Sequence, residues 1–477
     1  MPPSARPAPS RRRRRQPAAI LALCIAPAVA SGQAAAPPPA DGWTWTLEAA
    51  AQGLLASNAF WGLAQTFAPS AGYDTRGAWL ESYVRPGATG RRALDGATSL
   101  YGGVSLIASG TLGDDVFQQG NTGRLLVDDA YLGLRRTLAG GTVIDASAGA
   151  QRYVLGQGLL LAMGAGNGFE RGAVTLAPRR AWENTAIVRA THGAATVEAF
   201  WLDPNELASN DSGTRLAGGR AQWAPDPSTS IGIAWFEVLR SGTPYPQAPV
   251  RLIENGRDGL STTDLHARWA PTSGPLAGLT LAGELAIQRN DRIAMKASGW
   301  GAEVGYVLAG LPMRPRISWS PRYFSGDEPG TRDRLERFDP LFYDSSPATW
   351  SSGGNGSLAF YNSNLRVDRF RVDLTVSPRD FVNLNYWNVR AAQANSPIQY
   401  GQGGRLVAQG GTVALVSGVP VRPLSQEFYA EWTRVLSERL FLTAGVSIAI
   451  PDDGLKAVIP SGAKTWLGGI VNLTYRY

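Results

Sequence analysis

Arginine side chains recur at positions of one parity in two stretches of the sequence, 313–324 and 365–377. Even positions of the first stretch carry Arg314, Arg316 and Arg322, and odd positions of the second carry Arg369, Arg371 and Asp373. Residues of one parity on a β-strand point to the same face. Guanidinium groups bind carboxylates and phosphates through forked, charge-assisted hydrogen bonds. If both stretches are strands, the spacing predicts an electropositive stripe that binds anions.

Two interpretations of the arginines remain open. The same parity argument adds Arg189, Arg220 and Arg268 from other stretches, and it also adds acids to the same face, among them Glu198 and Glu284. For a single arginine, a structural ion pair is the favoured interpretation, because charges removed from bulk water must be paired or solvated. Within the stripe, Asp373 is the only local acid, and there a path for anions is favoured.

Residue types that support catalysis or metal binding are scarce. The two histidines are His192 and His266, and neither has a second histidine or cysteine nearby, so no metal site is predicted. His266 shares a face with Asp264 and would need an inward serine to form a hydrolase triad. Residues at i and i+2 are neighbours on any strand, which explains this pair without catalysis. We predict no catalytic residue, no metal and no cofactor.

The stretches that carry these residues belong to a series of about eighteen segments of roughly ten residues with alternating polarity. Long connections such as 155–181, 110–123 and 290–297 alternate with short ones such as 191–193 and 378–379. A β-sandwich has no reason to sort its connections in this way, whereas outer-membrane barrels combine short periplasmic turns with long extracellular loops. We therefore predict an all-β transmembrane antiparallel β-barrel of about 18 strands over residues 43–477, in contact with outer-membrane lipid.

The last segment, 463–477, would be the strand that closes this barrel. Val471, Leu473, Tyr475 and Tyr477 share one parity and are expected to face lipid. Aromatic residues concentrate at the lipid–water interfaces of such barrels. We expect Tyr475 and Tyr477 to lie at the inner interface and to act as the signal that the outer-membrane assembly machinery reads.

The first thirty residues have the features of a secretory signal peptide. An arginine run at 11–15 precedes an apolar run at 18–29 and small residues before Ser31. The single cysteine, Cys24, lies in this segment, so no disulfide is expected. Residues 31–42 are rich in proline and alanine and form a predicted periplasmic leader. Residues 1–30 contain six arginines and no acid, so without them the formal charge of +7 falls to +1, and nucleic acid is not an expected partner.

Several short motifs carry a resemblance to a known family. Residues 314–316 read RPR and lead into YFSGD at 323–327, which is followed by RFDPLF at 337–342. Weaker matches are 129–131 and 149–151, where Ala150 stands in place of an arginine. These motifs resemble the alginate export family of bacterial outer-membrane barrels. The resemblance implies an eighteen-stranded barrel and passage of a uronate-rich acidic polysaccharide through an arginine-lined pore.

The functional hypothesis is a bacterial outer-membrane channel for passive transport of an anionic polysaccharide or oligosaccharide. Connection 325–364 is the expected constriction, with Arg332, Arg334 and Arg337 as its basic side chains. The glycine-rich segment 353–356 is expected to be a flexible loop tip. Two alternatives stay open: a general or small-solute porin, and a barrel enzyme or adhesin whose lumen is filled.

Overall fold

The protein is described from a computed structural model. The described residues are 41–63, 74, 76–176, 178–247, 251–331, 333–345, 353–397, 406–409, 412–415, 418–459 and 462–477. The predicted signal peptide, most of the predicted leader and Arg332 lie outside these residues.

Eighteen long strands form one sheet, and each predicted segment corresponds to one of them. In chain order they are β1 (Gly42–Ser57), β2 (Arg76–Ala93), β3 (Thr98–Asp114), β4 (Gly120–Thr137), β5 (Val143–Gln151), β6 (Trp182–His192), β7 (Ala195–Asp203), β8 (Arg215–Asp226), β9 (Thr229–Arg240), β10 (Ser261–Trp269), β11 (Leu279–Asn290), β12 (Met295–Val307), β13 (Arg316–Phe324), β14 (Leu365–Thr375), β15 (Asp380–Ala391), β16 (Pro423–Val435), β17 (Leu440–Pro451) and β18 (Trp466–Arg476).

Every strand pairs antiparallel with its neighbours in the sequence, and the sheet closes on itself. The closing pair joins β1 to β18, in a register that sets Glu48 opposite Arg476 and Ser57 opposite Leu467. Closure satisfies the backbone hydrogen bonds that an open sheet edge would leave unpaired, a requirement for strands that cross a bilayer. The predicted eighteen-stranded antiparallel barrel is confirmed.

The two faces of the wall follow the predicted parity. On β13, Ile317 and Trp319 are exposed on the outer face, while Ser318 is buried on the inner face. Large exposed apolar side chains of this kind occur on strands all around the barrel. In water such a surface would be unfavourable, but in the outer membrane it contacts lipid.

The longest connections lie on one edge, as predicted, although two of the connections there are shorter than expected. Strands β3 and β4 extend further than their apolar alternation indicates, so the connection predicted at 110–123 shrinks to 115–119. The connection predicted at 290–297 shrinks to 291–294. The longest connections lie on one edge, which is the extracellular edge in barrels of this class. None of the helices in the described part of the chain is long and apolar enough to cross a membrane.

The hydrophobic core lies among the long connections, inside the barrel. Its largest fully buried side chains include Trp61, Tyr153, Phe338 and Phe360, and all four belong to connections. Trp61 stacks on Phe360 with ring centroids 5.3 Å apart and donates its Nε1 hydrogen bond to the Ala449 carbonyl at 3.0 Å. The connections therefore pack against one another and against the inner wall.

Candidate channel constriction

Four of the predicted arginines lie on the inner face of β13 and β14. Because the two strands pair with Ser320 opposite Arg369 and Ser318 opposite Arg371, small serines alternate with the long basic side chains. Serine leaves room for the guanidinium group of the neighbouring strand. The sequence thus forms a basic stripe on the inner wall. This basic stripe consists of Arg316, Arg322, Arg369 and Arg371.

Two carboxylates accompany the basic stripe. The Arg371 Nε donates to Asp373 Oδ1 at 2.6 Å, and the Arg316 Nη1 lies 3.6 Å from Asp373 Oδ2. Arg316 also forms an ion pair with Glu303 on β12. The expectation that Asp373 is the only local acid is therefore wrong, because a neighbouring strand supplies a second one. Four guanidinium groups against two carboxylates still leave the stripe positive.

Arg369 lies deepest in the wall, with 2% of its surface exposed. Its Nε and Nη2 donate to Asn385 Oδ1 on β15 at 3.1 and 2.8 Å, and its guanidinium carbon lies 5.3 Å from the ring centroid of Trp387. Stacking and neutral hydrogen bonds orient a guanidinium group without cancelling its charge.

Arg314 is not part of this wall. Strand β13 begins at Arg316, and Arg314 lies in the inner turn with an exposed side chain and a positive φ of 45°. Pro315 follows it and lacks the backbone N–H that a ladder needs, which delays the start of the strand. The prediction of Arg314 as a pore-lining residue extended the parity past this boundary.

A second basic group, which the sequence analysis missed, lies on a different side of the barrel. The Arg85 Nε of β2 lies 2.9 Å from Asp128 Oδ2 of β4, and Arg85 also pairs with Asp129. Two further arginines, Arg152 and Arg180, interact electrostatically with this group. Arg85 has the parity of the inward residue Glu81, so the parity argument could have found it, whereas Arg152 follows the end of β5 and carries no strand signal.

The two basic groups lie on different sides of the barrel. Asp128 and Asp129, which pair with Arg85, are on β4, nine positions away from β13 in a closed sheet of eighteen strands, and Arg85 itself is on β2, seven positions from β13. The lumen therefore has arginines on both sides, each group with carboxylates among its guanidinium groups.

The arginines predicted on other strands have different surroundings. Arg189 and Arg220 both pair with one buried acid, Glu198, which also accepts a hydrogen bond from the Tyr153 hydroxyl at 2.9 Å. This arrangement corresponds to the bracing interpretation. Arg268 is half-buried on the inner face of β10 and, within the described residues, forms no ion pair closer than 4 Å.

His266 belongs to the packing of the inner wall. Its Nδ1 lies 2.8 Å from Asp264 Oδ1, and Gly232 lies opposite it in the register. A Cβ atom at Gly232 would come within 2.3 Å of the His266 Nε2, so the ring fills the space above that glycine. In the part of the chain that the structure describes, no group of three or more histidine, cysteine or acidic side chains could hold a metal ion.

Two long outer connections, 152–181 and 325–364, are joined inside the barrel. The Ala162 N–H donates to the Phe342 carbonyl and the Phe342 N–H to the Leu160 carbonyl, each at 2.8 Å. In the predicted constriction, Arg334 is exposed and pairs with Glu336 at 2.7 Å, while Arg337 is buried. The two connections therefore pack against each other inside the barrel.

Buried carboxylates of the wall hold these connections in place. Backbone N–H groups of Gln157 and Leu159 donate to Glu284 on β11, at 2.6 and 3.3 Å. Those of Thr175 and Leu176 donate to Glu81 on β2, each at 2.9 Å. A carboxylate accepts several N–H groups at once, so it can fix a loop that has no partner strand.

Glu427 on β16 holds the second connection by the same means. It accepts the N–H groups of Asn355 at 2.6 Å and Gly356 at 3.0 Å, at the start of the short helix Gly356–Ala359. Gly353 is buried against it, and a Cβ atom there would lie 2.0 Å from the Glu427 Oε2. The expectation that 353–356 is a flexible loop tip is therefore wrong: the glycines allow a close approach to the wall.

The alginate export family matches residues 146–396, which is more than half of the chain. The chain belongs to the alginate export family. The matched region contains the basic stripe and both inward-folding connections, whereas Arg85 and the closing strand lie outside it. No curated protein matches the chain.

Solved structures share the fold of this alginate export family member at low sequence identity. Pseudomonas aeruginosa OccK5 (OpdH) is 9% identical, with a TM-score of 0.55 over 91% of this chain and 97% of that chain. The outer membrane protein OpdK from the same organism is 11% identical, with a TM-score of 0.52 over 91% and 98%. OccK2 (OpdF), solved in complex with glucuronate, is 12% identical, with a TM-score of 0.51 over 91% and 96%.

The family and the fold together give the setting of the alginate export protein. It is a β-barrel of the bacterial outer membrane, where it contacts lipid and acts as a transport channel. The same findings point away from an enzyme.

Proposed function

We propose that this channel carries an anionic polysaccharide or oligosaccharide by passive diffusion. The observation that supports this function best is the presence of two basic groups on different sides of the lumen. One is the basic stripe of Arg316, Arg322, Arg369 and Arg371, and the other consists of Arg85, Arg152 and Arg180. A carboxylated chain in the lumen would meet guanidinium groups on both sides, which replace part of its counterion shell.

The carboxylates beside the arginines have a role in the same mechanism. A conducting site must attract its ligand enough for entry and still release it. Asp373, Glu303 and Asp129 already accept hydrogen bonds from Arg371, Arg316 and Arg85. The attraction for each carboxylate of the passing chain is thereby weakened, and the chain can move from one arginine to the next.

The class of the ligand has support from two comparisons. The family is described by alginate export, and alginate is a polymer of uronates. OccK2 was solved in complex with glucuronate, a monomeric uronate. Arginine suits this chemistry because its planar group can bind a carboxylate with two hydrogen bonds.

Reconstitution into planar bilayers tests the proposal. The wild-type channel is expected to be anion-selective, and its current is expected to fall when polyglucuronate is added. Arg369→Glu combined with Arg371→Glu should reverse the sign of the stripe and shift the reversal potential toward cation selectivity. Arg366→Glu is the matched control, because Arg366 lies on the same strand with an exposed side chain of the opposite parity. Cation selectivity of the wild type would exclude the proposed role of the arginines.

A small-solute porin is the second candidate, and the inward-folding connections favour it. Connections 152–181 and 325–364 are joined by hydrogen bonds inside the barrel. Their buried side chains, such as Leu160 and Phe338, fill part of the lumen. Liposome swelling with glucuronate oligomers of increasing length separates the two functions. Entry of the monomer together with exclusion of longer oligomers would support the small-solute porin.

A further inference from the structure

A cavity of about 580 Å³ lies among five outer connections. Its lining comes from connections 115–119, 152–181, 204–214, 241–260 and 325–364. The volume lies within the range of about 300–1,000 Å³ that is usual for small-molecule sites. Two of the lining side chains, Arg179 and Arg337, need an explanation.

Arg179 and Arg337 are buried cations that lack a carboxylate partner. Their exposed fractions are 3% and 6%, and among the described residues neither forms an ion pair within 4 Å. Arg179 donates to Asn167 Oδ1 at 2.5 Å and to the Asn205 carbonyl at 3.0 Å, both neutral acceptors. Arg337 lies over the Tyr245 ring, 6.0 Å from its centroid, and its one hydrogen bond within the described residues goes to the Ser363 hydroxyl, at 3.4 Å. In both side chains, the Nε has no hydrogen-bond partner among the described residues.

Two buried acids, Asp327 and Asp339, attract Arg337 from beyond ion-pair distance, and both have other partners. Asp327 Oδ1 accepts the Glu336 N–H at 3.0 Å. Both oxygens of Asp339 accept hydrogen bonds from Arg257, at 2.7 and 3.0 Å, and the Tyr245 hydroxyl also donates to Asp339. Burial lowers the pKa of the Arg337 guanidinium, although arginine remains charged at neutral pH. A buried cation without a partner is unfavourable, and an anionic ligand would remove that cost.

Two further acids line the cavity, Glu206 and Asp211. The Glu206 carboxylate accepts the Ser212 N–H at 3.0 Å and the Ser212 hydroxyl at 2.6 Å. The Asp211 side chain is exposed to water. Within the lining, two buried guanidinium groups without an ion pair thus accompany one hydrogen-bonded and one exposed carboxylate.

The remaining lining suits a sugar ring. Aromatic side chains, among them Tyr245, Phe342 and Tyr361, offer flat apolar faces, and Asn210 and Thr243 offer polar groups. Aromatic faces bind the C–H faces of rings, and a few polar groups fix the orientation. The combination of ring faces with unpaired guanidinium groups matches a saccharide that bears a carboxylate.

We propose that this cavity is a second binding site of the channel, among the outer connections, for a carboxylate-bearing saccharide unit. Arg337 and Arg179 bind the carboxylate, and the aromatic side chains contact the ring. The ligand class rests on the proposed function, since a unit of the transported chain would occupy the site.

Calorimetric titration of the full chain in detergent tests the site. Glucuronate oligomers are the charged probe, and glucose oligomers of equal length are the neutral probe. Arg337→Gln and Arg179→Gln should each weaken glucuronate binding at least tenfold, and Arg337→Lys should restore part of the affinity. Arg334→Gln is the matched control, because Arg334 lies in the same connection but does not line the cavity. Equal binding of both probes, or unchanged affinity of Arg337→Gln, would overturn the proposal.

Two further measurements separate this site from the pore and from a structural role. Arg337→Gln should leave the anion selectivity in bilayers unchanged. Arg369→Glu with Arg371→Glu should change the selectivity and still show the part of the glucuronate binding that Arg337→Gln removes. If the channel does not transport the anionic chain but glucuronate binding persists, the proposal of this binding site is still supported. The unfolding temperature of Arg337→Gln should equal or exceed that of the wild type, since a buried unpaired charge is removed. A large drop would show that Arg337 is structural and would contradict the proposal.

Discussion

At the scale of single residues, the ion pair of Asp339 and Arg257 is the one whose loss should cost most. Both groups are buried in connection 325–364 and its neighbour 241–260, and two hydrogen bonds join them. Asp339→Asn would leave the Arg257 charge buried without its partner. Removal of one member of a buried pair costs about 3–5 kcal/mol. We expect a clear drop in the unfolding temperature at pH 7, with Asp333→Asn, an exposed position of the same connection, as the unaffected control.

The pH dependence of this effect has a defined sign. Burial alone would raise the pKa of Asp339, but the Arg257 charge and the hydrogen bonds outweigh burial and hold the pKa below its ordinary value. A depressed carboxylate pKa stabilises the fold above the unfolded pKa, and this stabilisation disappears as the pH falls through the folded pKa. The stability difference between wild type and Asp339→Asn should therefore narrow below about pH 3.9. A difference that widens with acidification would contradict this assignment.

At the scale of elements, the wall carboxylates explain why long connections stay inside the barrel. Glu427 binds the first N–H groups of the helix Gly356–Ala359, and Ser447 on β17 donates to the same carboxylate. Hydrogen bonds to a charged group contribute about 1.5–3 kcal/mol. Glu427→Gln weakens them, so connection 325–364 should leave the wall more often and be cut faster by added protease.

Glu431→Gln provides the control for that experiment. Glu431 lies on the same strand and face, but its partners, Asn383 and Tyr429, belong to the wall. Protease should cut this variant at the wild-type rate, and both variants should keep the heat-modifiable mobility of a folded barrel. Equal cleavage of Glu427→Gln and wild type would mean that packing of Trp61 and Phe360 alone holds the connection.

The elements also show which features the sequence can predict. All eighteen strands follow from it because a wall between lipid and water requires strict alternation, which leaves a clear pattern. The predicted start of β13 at residue 313 is too early, because the alternation of polar and apolar residues continues through the turn that contains Arg314 and Pro315. The hydrogen bonds by which Glu81, Glu284 and Glu427 hold the connections could not be predicted. Each carboxylate lies on a strand and accepts from backbone N–H groups that are far away in the sequence. The charge of Arg337 predicts a place in the constriction, whereas its burial beside the cavity depends on packing among five connections, which the sequence pattern does not show.

At the scale of the whole molecule, the barrel exists only when its two ends meet. Leu47 and Tyr477 exchange backbone hydrogen bonds at 2.8 and 3.2 Å, beyond the last residue of β18. The Arg439 guanidinium carbon lies over the Tyr477 ring, 4.1 Å from the ring centroid. Tyr477 therefore contributes to closure through its backbone and through its side chain, and these contributions can be separated.

Deletion of Tyr477 should reduce the amount of heat-modifiable barrel in cell membranes, because it removes both contributions. Tyr477→Ala keeps the backbone hydrogen bonds and removes only the ring. If the assembly machinery reads the aromatic side chain, Tyr477→Ala should fail in cells as the deletion does, yet refold from urea into detergent like the wild type, where no machinery is present. If only the backbone pairing between the first and last strands matters, Tyr477→Ala should assemble normally in cells. The deletion should then fail both in cells and in refolding from urea. Normal assembly of the deletion in cells would exclude Tyr477 as an assembly signal.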